Sequence, residues 1–115
     1  MHTVAMHKRL KKHSRFLAHL ESARPKARRA LLETADFDAL KCLAECCHNI
    51  CAGNVKLSEP QETFLTRHSA SVRKIADRKF PLRQKRKLLQ QKGGSIAAAI
   101  VAPIVASFLL KALGH

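Results

Sequence analysis

The sequence has no tryptophan, no tyrosine and only five phenylalanines. Stacking platforms for single-stranded nucleic acid need aromatic side chains among the basic ones, so that mode of binding is disfavoured from the start. Acids are scarce too: eight Asp and Glu stand against 22 Lys and Arg, a formal net charge of +14. With so few carboxylates, no paired acids sit in an apolar setting. The four glycines form no phosphate loop, and no nucleophile motif is present. A chain of 115 residues builds a modest core and little scaffold for a pocket. We therefore expect a protein that is not an enzyme and needs no cofactor. No apolar stretch marks Met1 to Leu20 as a secretory leader, so the four cysteines are expected to be reduced thiols.

The charge is concentrated. Lys8 to Arg29 holds nine basic residues and one acid, and Arg67 to Lys92 holds ten and one. Between them, Ala30 to Thr66 holds two basic residues and six acids. Two basic arms thus flank an acid-rich, cysteine-bearing middle, and an apolar tail follows. The expected organisation is a basic arm (1–33), a cysteine-rich core (34–66), a basic segment (67–92) and a Gly-Gly hinge with its tail (93–115). There is no internal repeat.

Local signals are helical throughout, and no segment alternates β-branched residues as a strand would. The fold class is all-α. One helix is expected over Ala5–Ser22. A second starts at Pro25, which suits a first turn, and ends near Thr34. Asp36 caps a third, which Gly53-Asn54 ends. Ser58 caps a fourth, with Glu62 in a weak capping-box variant, running to about Asp77. Pro81 opens a short basic helix that Gly93-Gly94 stops.

Cys42, Cys46, Cys47 and Cys51 lie on the third helix, with His48 beside them. At 100° per residue, Cys42 and Cys46 share one side while Cys47 and Cys51 share nearly the opposite one. One helix does not wrap four such ligands around one ion, so no metal is expected. Phe37, Leu40, Leu43, Ala44, Cys47, Ile50 and Cys51 form an apolar stripe. Cys47 and Cys51 are then small core residues, while Cys42 and Cys46 point away, onto another helix or another chain. His48 is read as a boundary residue.

Lys8, Arg9, Lys11, Lys12, Arg28 and Arg29 are the candidate nucleic-acid contacts of the first arm. Those of the second are Arg73, Lys74, Arg78, Lys79, Arg83, Lys85, Arg86 and Lys87. Without a recognition-helix or finger pattern, the chemistry left to them is phosphate neutralisation by counterion release. The expected partner is double-stranded DNA, bound without sequence reading.

Ile96 to Leu110 carries no charge and holds Pro103. As a helix it spans about 22 Å, short of a hydrocarbon core of about 30 Å. Extending it through residues 96–113 approaches a membrane span or an interfacial peptide. The alternative is an apolar helix that packs back on the cysteine helix.

The basic block 83–92 running into Gly93-Gly94, followed by a Pro-containing apolar tail, resembles the precursor of adenovirus minor core protein X, the mu protein. The stretch from Thr34 to Lys92 is similar to small proteins of Polinton and adintovirus elements. The resemblance implies a DNA-condensing virion core protein that is present in the host nucleus during assembly. It also implies cleavage by an adenain-like protease, with Gly93 and Gly94 before the cut and Ser95 after it. Self-association through the cysteine helix fits that reading. The alternatives are a membrane-active or membrane-anchored basic peptide precursor and a host basic nuclear factor.

Overall fold

Pro25, Asp36 and Ser58 open three of the helices by local preference, whereas those that start at Ser14, Ser69 and Leu82 have no side-chain cap. The computed structural model describes residues 8–106. The expected helix start at Ala5 and the end of the tail from 107 onward lie outside the described residues. Within them the chain is all-α, with no strand.

Helical residues 8–12 lead into α1 (Ser14–Ser22), α2 (Pro25–Thr34) and α3 (Phe37–Cys51). Then come α4 (Glu59–Arg67), α5 (Ser69–Ala76) and α6 (Leu82–Ile104), the last divided in two by a non-helical turn over residues 91–94, where Gly93-Gly94 were expected to stop the helix. Pro25 occupies the first turn of α2. Asp36 caps α3 by accepting from the Ala39 amide at 2.8 Å. Gly53, at φ 78°, ends α3. Its amide reaches the Ile50 carbonyl, and the Asn54 amide reaches Asn49, which is a Schellman closure.

Three expectations need correction. The helix over Ala5–Ser22 is interrupted at His13 (φ −104°, ψ 17°). The helix expected from Ser58 to Asp77 is broken at His68 (φ −106°, ψ 27°). That break redirects α5 so that Val72 reaches α3. The capping box at Ser58 is completed by Gln61, not Glu62, because Gln61 is the third helical residue and its side chain reaches the Ser58 amide at 2.8 Å.

All four expected segments contribute to one core. Leu17, Leu32, Leu43, Ile75, Leu89 and Ile100 are fully buried in it. Helix α6 packs on all the others, and α3 is covered on two sides, by α5 and by α6. This explains a further correction. Cys42, Cys46 and Cys47 are all buried, while Cys51 and Phe37 are exposed. A helix covered on two sides needs small apolar residues on both, so the single-stripe reading misplaced Cys51 and Phe37, while the burial of Cys42 and Cys46 off that stripe fits the expectation that they point onto another helix.

The apolar tail, as far as it is described, is core. Ile96, Ala97, Ile100, Val101 and Ile104 are each 2% exposed or less. No helix among the described residues is long and apolar enough to cross a membrane. Packing back on the body is what residues 95–104 do. Burying each of the Ile and Val side chains is worth about 1.5–3 kcal/mol before the entropy of ordering it.

Candidate phosphate-binding surface and cavity

The first arm docks on α3 through its charges. Arg9 pairs with Glu45, while Lys12 Nζ and His13 Nε2 meet Asp38 Oδ2 at 3.0 and 2.7 Å. The hydrogen bond from His13, then that from Lys12, lowers the Asp38 pKa to about 2. The acid-rich middle of the sequence thus holds the first basic arm in place. Lys8, Lys11 and the exposed Lys12 remain at the surface.

Helix α2 lies along α6, and two arginines secure it. Arg28 donates through Nε to the Leu20 carbonyl at 2.9 Å, through Nη2 to Ala23 at 2.6 Å and through Nη1 to Gly93 at 3.3 Å. Arg86 Nη1 donates to the carbonyls of Leu32 and Ala35, both at 2.7 Å, and of Glu33 at 3.1 Å. The last carbonyls of α2 have no partner within the helix, and a guanidinium matches both their geometry and their negative end. These two arginines are half-buried and engaged in the fold. Around them Arg24, Lys26 and Arg29 on α2, and Arg83 and Lys87 on α6, are exposed. Two arms far apart in sequence therefore present their free cations from adjacent helices.

Of the expected contacts, Lys8, Lys11, Lys12, Arg29, Arg73, Lys74, Arg78, Lys79, Arg83 and Lys87 are exposed. Arg9, Arg28 and Arg86 are half-buried and bonded within the protein, and Lys85 is buried. Exposed cations that the candidate set left out are Arg15, Arg24, Lys26, Lys41, Lys56, Arg67 and Lys92. Arg24 and Lys26 were visible as part of the first arm. Lys41 and Arg67 carried no local signal.

A cavity of about 400 Å³ opens between α3, the end of α5 and the start of α6. Arg9, Lys41, Arg78 and Lys85 line it, with Glu45, His48 and the apolar Ala44, Ala76, Phe80 and Leu82. Lys85 is 3% exposed. Its ammonium makes no hydrogen bond or ion pair with a described residue. Burial pushes its pKa down, and the charge of Asp77 offsets this in part.

Cys42, Cys46 and Cys47 face inward, while Cys51 is exposed. Cys47 Sγ donates to the Val72 carbonyl at 3.2 Å, and Cys42 Sγ to that of Arg9 at 3.9 Å. The hydrogen bond with Cys42, followed by burial, pushes the Cys46 thiol up, and burial does the same to Cys47. No group of three or more His, Cys, Asp or Glu among the described residues is placed to hold a metal ion.

Gly93 and Gly94 form a tight left-handed turn rather than an extended hinge. Lys92, Gly93 and Gly94 have φ of 52°, 66° and 76°. A Cβ on Gly93 would lie 2.5 Å from Pro25 Cβ, and one on Gly94 2.9 Å from Arg28 Cδ. Gly94 is buried, and Ser95 Oγ is sealed without a partner. The expected cleavage site is thus closed against α2. An extended protease substrate would require this turn to open first.

Comparisons of the chain with protein-family models, with curated proteins and with solved structures return no match.

Proposed function

We propose that the protein is a non-enzymatic DNA-binding protein that neutralises and condenses packaged double-stranded DNA without reading its sequence, as a virion core protein does. The observation that carries this reading is the set of exposed cations on adjacent helices: Arg24, Lys26 and Arg29 on α2, with Arg83 and Lys87 on α6. Most of these side chains are not used by the fold, because Arg28 and Arg86 do the internal work between the two helices. Solvated cations of this kind neutralise phosphates and release counterions. No tryptophan or tyrosine accompanies them to read bases by stacking.

The resemblance to the mu precursor supplies the setting, a virion core assembled in the host nucleus, with an adenain-like protease as processing partner. Cleavage after Gly94 then acts on a chain that is unfolded or opened, because the tail completes the core. The membrane-active reading of the tail has less support, since its apolar residues up to Ile104 are already covered.

Titrating two short duplexes of unrelated sequence across a salt series tests this function. Equal affinities are expected, with a log–log slope of about −0.9 per phosphate contact. Arg83→Gln with Lys87→Gln should weaken both duplexes alike and flatten the slope. Binding that is insensitive to salt and selective for one duplex would overturn the proposal.

A further inference from the structure

Lys85 stands where the packing of α6 calls for an apolar residue. Leu82, Lys85 and Leu89 share the face turned to the body of the protein, and Leu89 is fully buried. A buried ammonium without a hydrogen-bonding partner is costly, and an apolar side chain of the same length would serve the fold better. Departures of this kind from the local rules concentrate at sites of function.

The surroundings indicate what the ammonium awaits. Four cations line the cavity with one acid, and that acid, Glu45, is already paired with Arg9. Among the described residues Ser95 Oγ is the sealed side-chain N or O atom without a partner. The unpartnered Lys85 ammonium is therefore not sealed, and it opens to the cavity. Arg78 and Lys41 reach the same space from the α5–α6 connection and from α3. The volume of about 400 Å³ lies within the range of small-molecule sites, about 300–1,000 Å³, and exceeds what one oxyanion fills. Phe80, Leu82, Ala44 and Ala76 provide an apolar wall for the remainder of a ligand.

We propose that this cavity is a phosphate-binding site, in which Lys85, Arg78 and Lys41 take the phosphate group of a bound compound. Arg78 supplies a planar fork of donors and the lysines supply point charges, the donor set that suits a phosphate. The site differs in kind from the exposed cations of α2 and α6, because its central lysine is 3% exposed and its wall is partly apolar. It does not depend on the DNA-binding reading. The phosphate could belong to a small phosphorylated compound or to a nucleic-acid backbone, and these sources are separable.

Calorimetric titration of the full chain with inorganic pyrophosphate, at ionic strength held constant with sodium chloride, tests the site. Saturable one-to-one binding is expected. Lys85→Met should weaken it by about tenfold or more, while Lys56→Met, at an exposed position that does not line the cavity, leaves it unchanged. Lys85→Met should also unfold at a higher temperature than the parent, which separates loss of the site from loss of the fold. Arg78→Gln, at an exposed position, provides a second variant with the same expected direction. Heats that never saturate, or equal affinity in the parent and Lys85→Met, would overturn the proposal. Duplex DNA added as competitor identifies the source. Displacement of pyrophosphate supports the site with a backbone phosphate as occupant, and simultaneous binding supports it with a small phosphorylated compound. Loss of pyrophosphate binding with an intact salt slope for DNA would remove the cavity site and leave the DNA reading standing.

Discussion

Arg86 holds the end of α2 by donating to the Leu32 carbonyl at 2.7 Å, across 54 positions of sequence. The side chain belongs to the densest basic run of the chain, yet its partners are carbonyls of its own protein. Arg86→Ala leaves three carbonyls to water or to nothing and should cost about 1–3 kcal/mol, the range for hydrogen bonds to a charged group. Arg86→Lys should recover only part of this, because an ammonium lacks the fork. Urea denaturation measures both. If Arg86→Ala matches the parent in stability but loses DNA affinity, the residue is a phosphate contact and not a clamp.

Asp38 makes the acid limb of stability steep. Its folded-state pKa of about 2 lies below the ordinary 3.8, so the unfolded chain binds its proton first as pH falls. The stabilisation is complete above pH 3.8 and is lost as pH drops toward about 2. Asp38→Asn should lower the melting temperature at neutral pH and converge with the parent across that window. A gap that stays constant down to pH 2 would rule out His13 and Lys12 as the cause.

Thiol reactivity should follow burial. Cys51 is exposed, while Cys42, Cys46 and Cys47 are buried. A thiol reagent should modify Cys51 rapidly in the native protein and the other three only after unfolding. Cys47→Ser should cost about 1–3 kcal/mol, since it places a hydroxyl in an apolar site where the carbonyl of Val72 is its available partner. Cys51→Ser should be close to neutral. Fast reaction at all four positions would contradict the burial of α3 between α5 and α6.

The turn at 92–94 gives substitutions of opposite sign. Lys92 holds φ 52°, which costs a side-chain-bearing residue about 1–2 kcal/mol, so Lys92→Gly should be neutral or stabilising by up to about 1 kcal/mol. Gly93→Ala adds backbone strain and a Cβ 2.5 Å from Pro25 Cβ, and should destabilise by about 2 kcal/mol or more. In the same way, an adenain-like protease should leave the folded chain whole at Gly94–Ser95 and cut it in mild denaturant. A chain ending at Gly94 should lose cooperative thermal unfolding, which calorimetry would reveal.

Helix boundaries were legible where one residue decides them. Pro25, Asp36, Ser58 and Gly53 act through their own φ angle or their own side chain within a few positions, so sequence alone placed them. The all-α class and the excess of positive charge are likewise properties of composition and local pattern. The breaks at His13 and His68 were not legible, because neither residue is a strong breaker. The chain turns there to bring Leu17 and Val72 into a core shared with distant helices. The division of the cations into exposed, clamping and buried was also hidden. Lys85, Arg86 and Lys87 are neighbours of nearly equal chemistry, and their fates differ because successive residues on a helix point 100° apart. Which of those directions meets the end of α2, which meets a cavity and which meets water depends on where α2 and α3 dock. For the same reason the tail's solvent could not be read from its apolarity. A hydrophobic helix of that length is equally satisfied by lipid or by a protein interior, and only the helices packed against it, α2 and α3 foremost, decided in favour of the interior.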